Sequence, residues 1–175
     1  MNIKQAVILA GGRGVRLEPF TIGKPKPMYE FNQTPFLSYL LLQLKQWGIK
    51  DVILLLGYMA DVITNYFHDG SQFGMNIIYD ITPVDFDTGA RLRHAYDCLQ
   101  ENFILMYCDN YCPLCFDRME RQFLESGVPV QITAYENKEN YTKGNLKIHN
   151  GIVQVYDKSR KTNGMQEVDI EYALL

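Results

Sequence analysis

The chain has no apolar run of the ~18–20 residues that a bilayer crossing requires. Its first residues, MNIKQAVILAGG, lack the long apolar core and small-residue cleavage site of a secretory signal. Excess charge is also absent: 17 Lys and Arg stand against 20 Asp and Glu, a formal net charge of −3, and no stretch gathers basic side chains on one helical face. These absences argue against a membrane protein and against a nucleic-acid-binding surface, and they predict a cytoplasmic location. Cysteine is scarce. Cys98, Cys108, Cys112 and Cys115 are unequally spaced, and the CPLC pair has no second CxxC or paired His at a zinc-finger spacing, so the thiols read as fillers of small core spaces. Internal repeats and low-complexity segments are missing too. With 175 residues, 47% of them apolar and 21% charged, the chain fits one globular domain, residues 1–175.

What is present is an alternation of short apolar runs with amphipathic stretches. Gln5 to Leu9 (QAVIL) predicts a buried strand that enters a glycine-rich loop running to about Met28. Thr34 and Pro35 read as cap and first position of a helix over FLSYLLLQLKQW, ended by Gly48. Strands follow at Asp51 to Leu56, Met75 to Tyr79, Phe103 to Tyr107 and Pro129 to Tyr135. Between them, helices are expected at Ala60 to His68, at Thr88 to Gln100 with Asp87 as cap, and at Leu114 to Ser126. Such alternation predicts an α/β fold, a mostly parallel sheet sandwiched by helices, with ligands at the carboxyl ends of the strands. After Tyr135 the pattern changes to a hairpin around Asn150 and Gly151 and a last strand in VDIEYALL. Residues 1–135 thus read as one α/β core and 136–175 as the start of a second part, with the chain expected to be a fragment because that strand runs to Leu175.

One stretch, LAGGRGVRLEPFTIGKPKPM from Leu9 to Met28, concentrates chemistry for binding phosphates. Gly11, Gly12 and Gly14 permit unusual dihedrals and close approach, so that backbone amides can face phosphate oxygens. Arg13, Arg16, Lys24 and Lys26 add cations within short reach, and Pro19, Pro25 and Pro27 stiffen the loop. The stretch is neither a GxGxxG dinucleotide fingerprint nor a Walker loop. Asp109, just past an apolar strand at the same sheet edge, is placed to hold a magnesium ion between phosphates or simply to form a turn.

The run resembles the signature of the sugar-phosphate nucleotidyltransferases, L-A-G-G-x-G-x-R-L-x-P-x-T followed by P-K-P-M, and it carries every fixed position. That resemblance implies the Rossmann-like nucleotide-diphospho-sugar transferase fold. It also implies a nucleoside triphosphate and a sugar 1-phosphate as substrates, and Mg2+ as cofactor. Leu9, Ala10, Gly11, Gly12, Arg13 and Gly14 are then expected to hold the nucleotide, Arg16 to contact the leaving pyrophosphate, Lys26 to contact the phosphates near the reacting phosphorus, and Asp109 to hold the metal. Thr88 and Gly89, in TGARL, stand where the family recognises the base, although Asp87 replaces a glycine there and leaves the base open. Lys158, in YDKS, stands where the family touches the sugar phosphate, and Glu171 where relatives carry glycine beside the sugar. The likeness is to heptose- and mannose-1-phosphate guanylyltransferases, with a non-catalytic nucleotide-binding homologue and a cytidylyl- or thymidylyltransferase as alternatives. Tyr58, Tyr66 and Phe67 are candidates for a homo-oligomer interface or for core packing. The histidines receive no catalytic role.

Overall fold

Strand β1 (Gln5–Ala10) is buried along its whole length, because it lies between two parallel neighbours and under side chains on both faces. In this computed structural model, which describes residues 2–15 and 23–175, the neighbours are β4 (Asp51–Leu56) and β6 (Phe103–Tyr107), with β5 (Asn76–Ile81) beyond β4. A short hairpin of β2 (Glu30–Phe31) and β3 (Thr34–Pro35) precedes helix α1 (Phe36–Gln46). Helices α2 (Ala60–Phe67), α3 (Thr88–His94) and α4 (Phe116–Ser126) follow in turn. The remaining strands are β7 (Gln131–Tyr135), β8 (Leu146–His149), β9 (Ile152–Tyr156) and β10 (Val168–Leu174).

The main sheet has the order β5-β4-β1-β6-β10-β7, and β10 runs antiparallel to both β6 and β7. The expected mostly parallel sheet is therefore present, with one reversed strand inserted near its edge. Alternation along the strands divides the core. Ala6, Ile8 and Ala10 pack with Leu37, Leu41, Ile63 and Phe123 of α1, α2 and α4. Val7, Leu9, Ile53 and Leu55 face the other way, toward Leu92, Ala95 and Leu99 in and after α3. Phe67 belongs to the face under α1, α2 and α4, fully buried, whereas Tyr66 remains exposed, its ring edge-on to Phe67 at 4.8 Å. Among the described residues no helix is long and apolar enough to cross a membrane.

Several local expectations are corrected. Thr34 does not cap α1, and Pro35 stands at the N-cap rather than the first helical position; the two pair with Phe31 and Glu30, and the first helical amide, Phe36 N, donates to the Tyr29 carbonyl at 2.8 Å. The helix that opens at Thr88 stops at His94 and yields to a 3-10 turn over Tyr96–Cys98, well short of Gln100. Asp87 does cap it, its carboxylate accepting from Ala90 N at 2.8 Å. The cysteines are free, and only Cys108 is buried; Cys98 and Cys115 are exposed, so core filling does not account for them.

The reversed strand is fastened by Tyr172, whose ring is fully buried and stands edge-on to Trp47 at 6.2 Å. Its hydroxyl lies 2.8 Å from the Asn110 carbonyl and 3.2 Å from Gln43 Oε1, and accepts from Cys112 N at 3.2 Å. One phenol thus joins β10, α1 and the loop that follows Asp109. Tyr172→Phe, which removes the phenol's partner from polar groups on α1 and on the loop after Asp109, is expected to lower unfolding free energy by about 1–3 kcal/mol, read from the urea midpoint at unchanged m-value.

Candidate active site

Because β1, β4, β5 and β6 are parallel, their carboxyl ends open at one edge of the sheet. A cavity of about 380 Å³ lies at that edge. Its lining, among the described residues, joins Leu9 in β1 and Gly11, Gly12 and Gly14 after it with Lys26, Val84, Phe86, Asp87, Thr88, Arg91, Tyr107 to Asp109 and Lys158. Residues from four distant parts of the chain meet there. Ala10, Arg13 and Gly89 do not form part of this lining; Ala10 is buried in the sheet, and the Arg13 guanidinium lies 6.0 Å over the Tyr58 ring. Lys24 is ion-paired with Glu30 at 2.5 Å. Arg16 falls outside the described residues, as do Leu17 and Pro19.

Lys26 sits in a 3-10 turn, Lys26–Met28, whose prolines on either side hold it against the core. Its ammonium ion-pairs with Asp109 Oδ2, and both side chains keep about a quarter of their surface open, 27% and 26%. Asp109 lies two residues past the end of β6, and Cys108 N between them donates to the Leu9 carbonyl at 3.2 Å, which locks this strand end to the end of β1. The Cys108 thiol beside them is pushed up to about 12, by burial first and then by Asp109, so it stays protonated and inert.

Lys158 arrives from the hairpin. Its ammonium lies 3.3 Å from the Tyr107 hydroxyl and 5.2 Å over that ring, and the same hydroxyl is 3.5 Å from Thr88 Oγ1. The turn that carries Lys158 is organised by Asp157, whose carboxylate accepts from Ser159 N and Oγ, Lys161 N, and Thr162 N and Oγ1 at 2.6–3.0 Å. These bonds, chiefly from the Ser159 and Thr162 hydroxyls, hold the Asp157 carboxyl far below the usual range. Buried Asn145 ties the turn to β10, its carbonyl accepting from Asp157 N at 2.9 Å and its side chain from Asp169 N at 2.8 Å.

Sequence reasoning missed Arg91 and Tyr107. Arg91 is 4% exposed, and its guanidinium donates to the carbonyls of Leu56 at 2.7 Å, Pro83 at 3.0 Å, Val84 at 3.1 Å and Gly11 at 3.4 Å, and to the Thr82 hydroxyl. Burial pulls its pKa down, with Asp80 and Asp85 opposing. A charged residue between Ala90 and Leu92 in a helix looks solvated in sequence; nothing local says that it turns inward. The glycines also work differently from expectation. Of Gly11, Gly12 and Gly14, Gly14 alone has a positive φ, +69°. Gly11 is required because a Cβ would strike the Arg91 guanidinium, and Gly57 because a Cβ would meet the Gly11 carbonyl at 2.7 Å.

With this geometry in place, a family model described as nucleotidyl transferase matches residues 5–160. The chain belongs to the sugar-1-phosphate nucleotidyltransferases. It is similar to the D-glycero-alpha-D-manno-heptose 1-phosphate guanylyltransferase of Campylobacter jejuni, 28% identical over 161 residues that cover 92% of this chain and 72% of that protein. The mannose-1-phosphate guanylyltransferase of Mycobacterium tuberculosis is 35% identical over 102 residues, which cover 58% of this chain and 28% of that longer protein. Among solved structures, HddC from Yersinia pseudotuberculosis complexed with GMP-PN shares a TM-score of 0.76 and 27% identity, over 99% of this chain and 76% of that one.

Within this nucleotidyltransferase, β10 carries a departure. The ladder to β7 slips between Asp169 and Ala173, and Glu171 at the bulge takes a φ of +64°, a backbone region that favours glycine. Its amide donates to Asp169 Oδ1 at 2.8 Å. Burial, then Asp109 and Asp169, push the Glu171 carboxyl up, with Lys158 and Lys26 opposing. An acid raised in this way stabilises the fold below its ordinary pKa, and that contribution is lost as pH rises through the folded value. Glu171→Gln is therefore expected to melt above the wild type at about pH 8, with the difference closing as the pH falls below the ordinary carboxylate range, measured by calorimetric Tm.

Proposed function

We infer that the protein transfers a nucleotidyl group from a nucleoside triphosphate to a sugar 1-phosphate and releases pyrophosphate, with GTP and a heptose or mannose 1-phosphate as the substrate pair. The observation that carries this reading is the meeting of the glycine loop, the Lys26–Asp109 pair and Lys158 around one cavity. The guanine assignment is supported by the relatives named as guanylyltransferases and by the bound GMP-PN of the solved homologue. A cytoplasmic site of action follows from the supply of nucleoside triphosphates.

In the reaction a sugar-phosphate oxygen attacks the α-phosphorus while the bond to the bridging oxygen breaks, and pyrophosphate leaves with that electron pair. Both reactants are anions, so the protein has to offset their repulsion and hold them in line; positioning and electrostatics dominate such transfers. The loop glycines and Thr88 would hold the nucleotide, Arg16 the leaving pyrophosphate, and Lys26 the phosphates near the reacting phosphorus. Lys158, oriented by Tyr107 and by the Asp157 turn, would orient the sugar phosphate.

Asp109 offers a hard oxygen donor at the cavity wall, and no group of three or more His, Cys, Asp or Glu side chains among the described residues forms an all-protein cage. That donor set fits magnesium, which is commonly held by one or two carboxylates together with substrate phosphates. Bound there, the ion would neutralise phosphate charge, with Lys26 released from Asp109 to the phosphates.

Pyrophosphate release from each of GTP, CTP, UTP and dTTP, with mannose 1-phosphate and with D-glycero-α-D-manno-heptose 1-phosphate, tests the reading; release is expected with GTP. Triphosphate binding without release from any pair would instead mark a nucleotide-binding homologue. Lys26→Ala and Arg16→Ala are each expected to cut kcat by about 10²–10³, as loss of one transition-state donor does. Asp109→Asn should remove magnesium's contribution to triphosphate affinity, read by calorimetry with and without the ion.

A further inference from the structure

We propose that Arg91 is a positioning residue that sets the shape of the nucleotide cavity by clamping the ends of β1, β4 and β5, without itself taking the phosphates. The proposal rests on the nucleotidyltransferase reading for its functional side and on geometry for its structural side. Arg91 is 4% exposed. Its hydrogen-bond partners among the described residues are neutral: carbonyls at Gly11, Leu56, Pro83 and Val84 and the Thr82 hydroxyl. Such a guanidinium is already occupied by the protein, and its planar fork suits several carbonyls at fixed angles. A lysine ammonium, a compact point charge on a flexible stem, cannot span three strand ends at once.

The clamp has a direct consequence for the loop. The Gly11 carbonyl accepts from both Arg91 and Tyr58 N, at 3.4 and 3.1 Å. In a planar trans peptide the carbonyl and the following N–H point in opposite directions. Fixing the Gly11 carbonyl inward therefore turns the Gly12 N–H outward, at the cavity wall where an anion would need it. Gly11 and Gly57 leave the room in which this arrangement fits, since a Cβ at either would strike the guanidinium or the Gly11 carbonyl. Without the clamp, four carbonyls would compete with the amides for the same edge, presenting negative rather than positive dipoles to a phosphate.

Three backbone amides report the clamp, because each donates to a carbonyl that Arg91 also holds: Tyr58 N to Gly11, Thr82 N to Leu56 and Phe86 N to Pro83, at 3.1, 3.1 and 3.2 Å. Arg91→Lys keeps the charge. It is expected to speed amide hydrogen exchange at Tyr58, Thr82 and Phe86, to leave protection in β1 unchanged, and to weaken GTP binding by about tenfold or more, as misplacement of a binding loop does. A folded Arg91→Lys protein with wild-type exchange at these amides, or with wild-type GTP affinity, overturns the proposal. If that variant does not fold, Thr82→Val, which removes one clamped hydroxyl, takes its place, with faster exchange at Phe86 and weaker GTP binding expected and no change in either overturning it. Should the wild-type chain bind none of GTP, CTP, UTP and dTTP, the nucleotide reading fails together with the role in binding, an outcome separate from an altered or unaltered variant of a binding wild type.

Discussion

The arrangement of the site depends on the parallel pairing of β1 with β4 and β6. Parallel strands present their carboxyl ends at one edge, and in this chain those ends are Ala10, Leu56, Ile81 and Tyr107. The loops that leave them carry the glycine run, Gly57, the Pro83 to Asp87 segment and Asp109. Hydrophobic burial holds the strands in register, since Val7, Ile8, Leu54, Leu55 and Ile104 are almost wholly removed from water. Polar work at the edge is thus supported by an apolar sheet that has little freedom to shift.

Polar hubs translate that rigidity into positions for charge. Arg91 gathers the carbonyls at the β1, β4 and β5 ends; Tyr172 joins β10 to the loop beyond Asp109; Asp157 folds the turn that presents Lys158. Each spends its hydrogen bonds inside the protein, while Lys26, Asp109 and Lys158, among the described residues, bring charge to the cavity wall. Lys26 and Asp109 neutralise one another at that wall.

Glu171 runs against this pattern. It is a half-buried carboxylate in a strained backbone conformation, beside Asp109 and Asp169, on the one strand that enters the sheet in reverse. Strain and like charge thus meet at one position of β10.

Much of this was legible in residue order. Short apolar runs separated by amphipathic segments predict the alternation of strands and helices, because burial on two faces and burial on one stripe leave different periods in a sequence. The glycine-rich loop with its cations and Asn150-Gly151 speak through local chemistry, which needs no knowledge of the fold, whereas Asp109 taken alone reads equally as a turn former. Tertiary contacts decided the rest. Pairing with β2 overrode the capping propensity of Thr34, and a 3-10 turn at Tyr96 followed an α3 that ended early. The inward turn of Arg91, the placing of Tyr107 between Thr88 and Lys158, and the need for glycine at position 57 all depend on carbonyls and hydroxyls brought from far along the chain. A sequence states which groups are available; which of them satisfy each other is settled only when the strands close the distance between them.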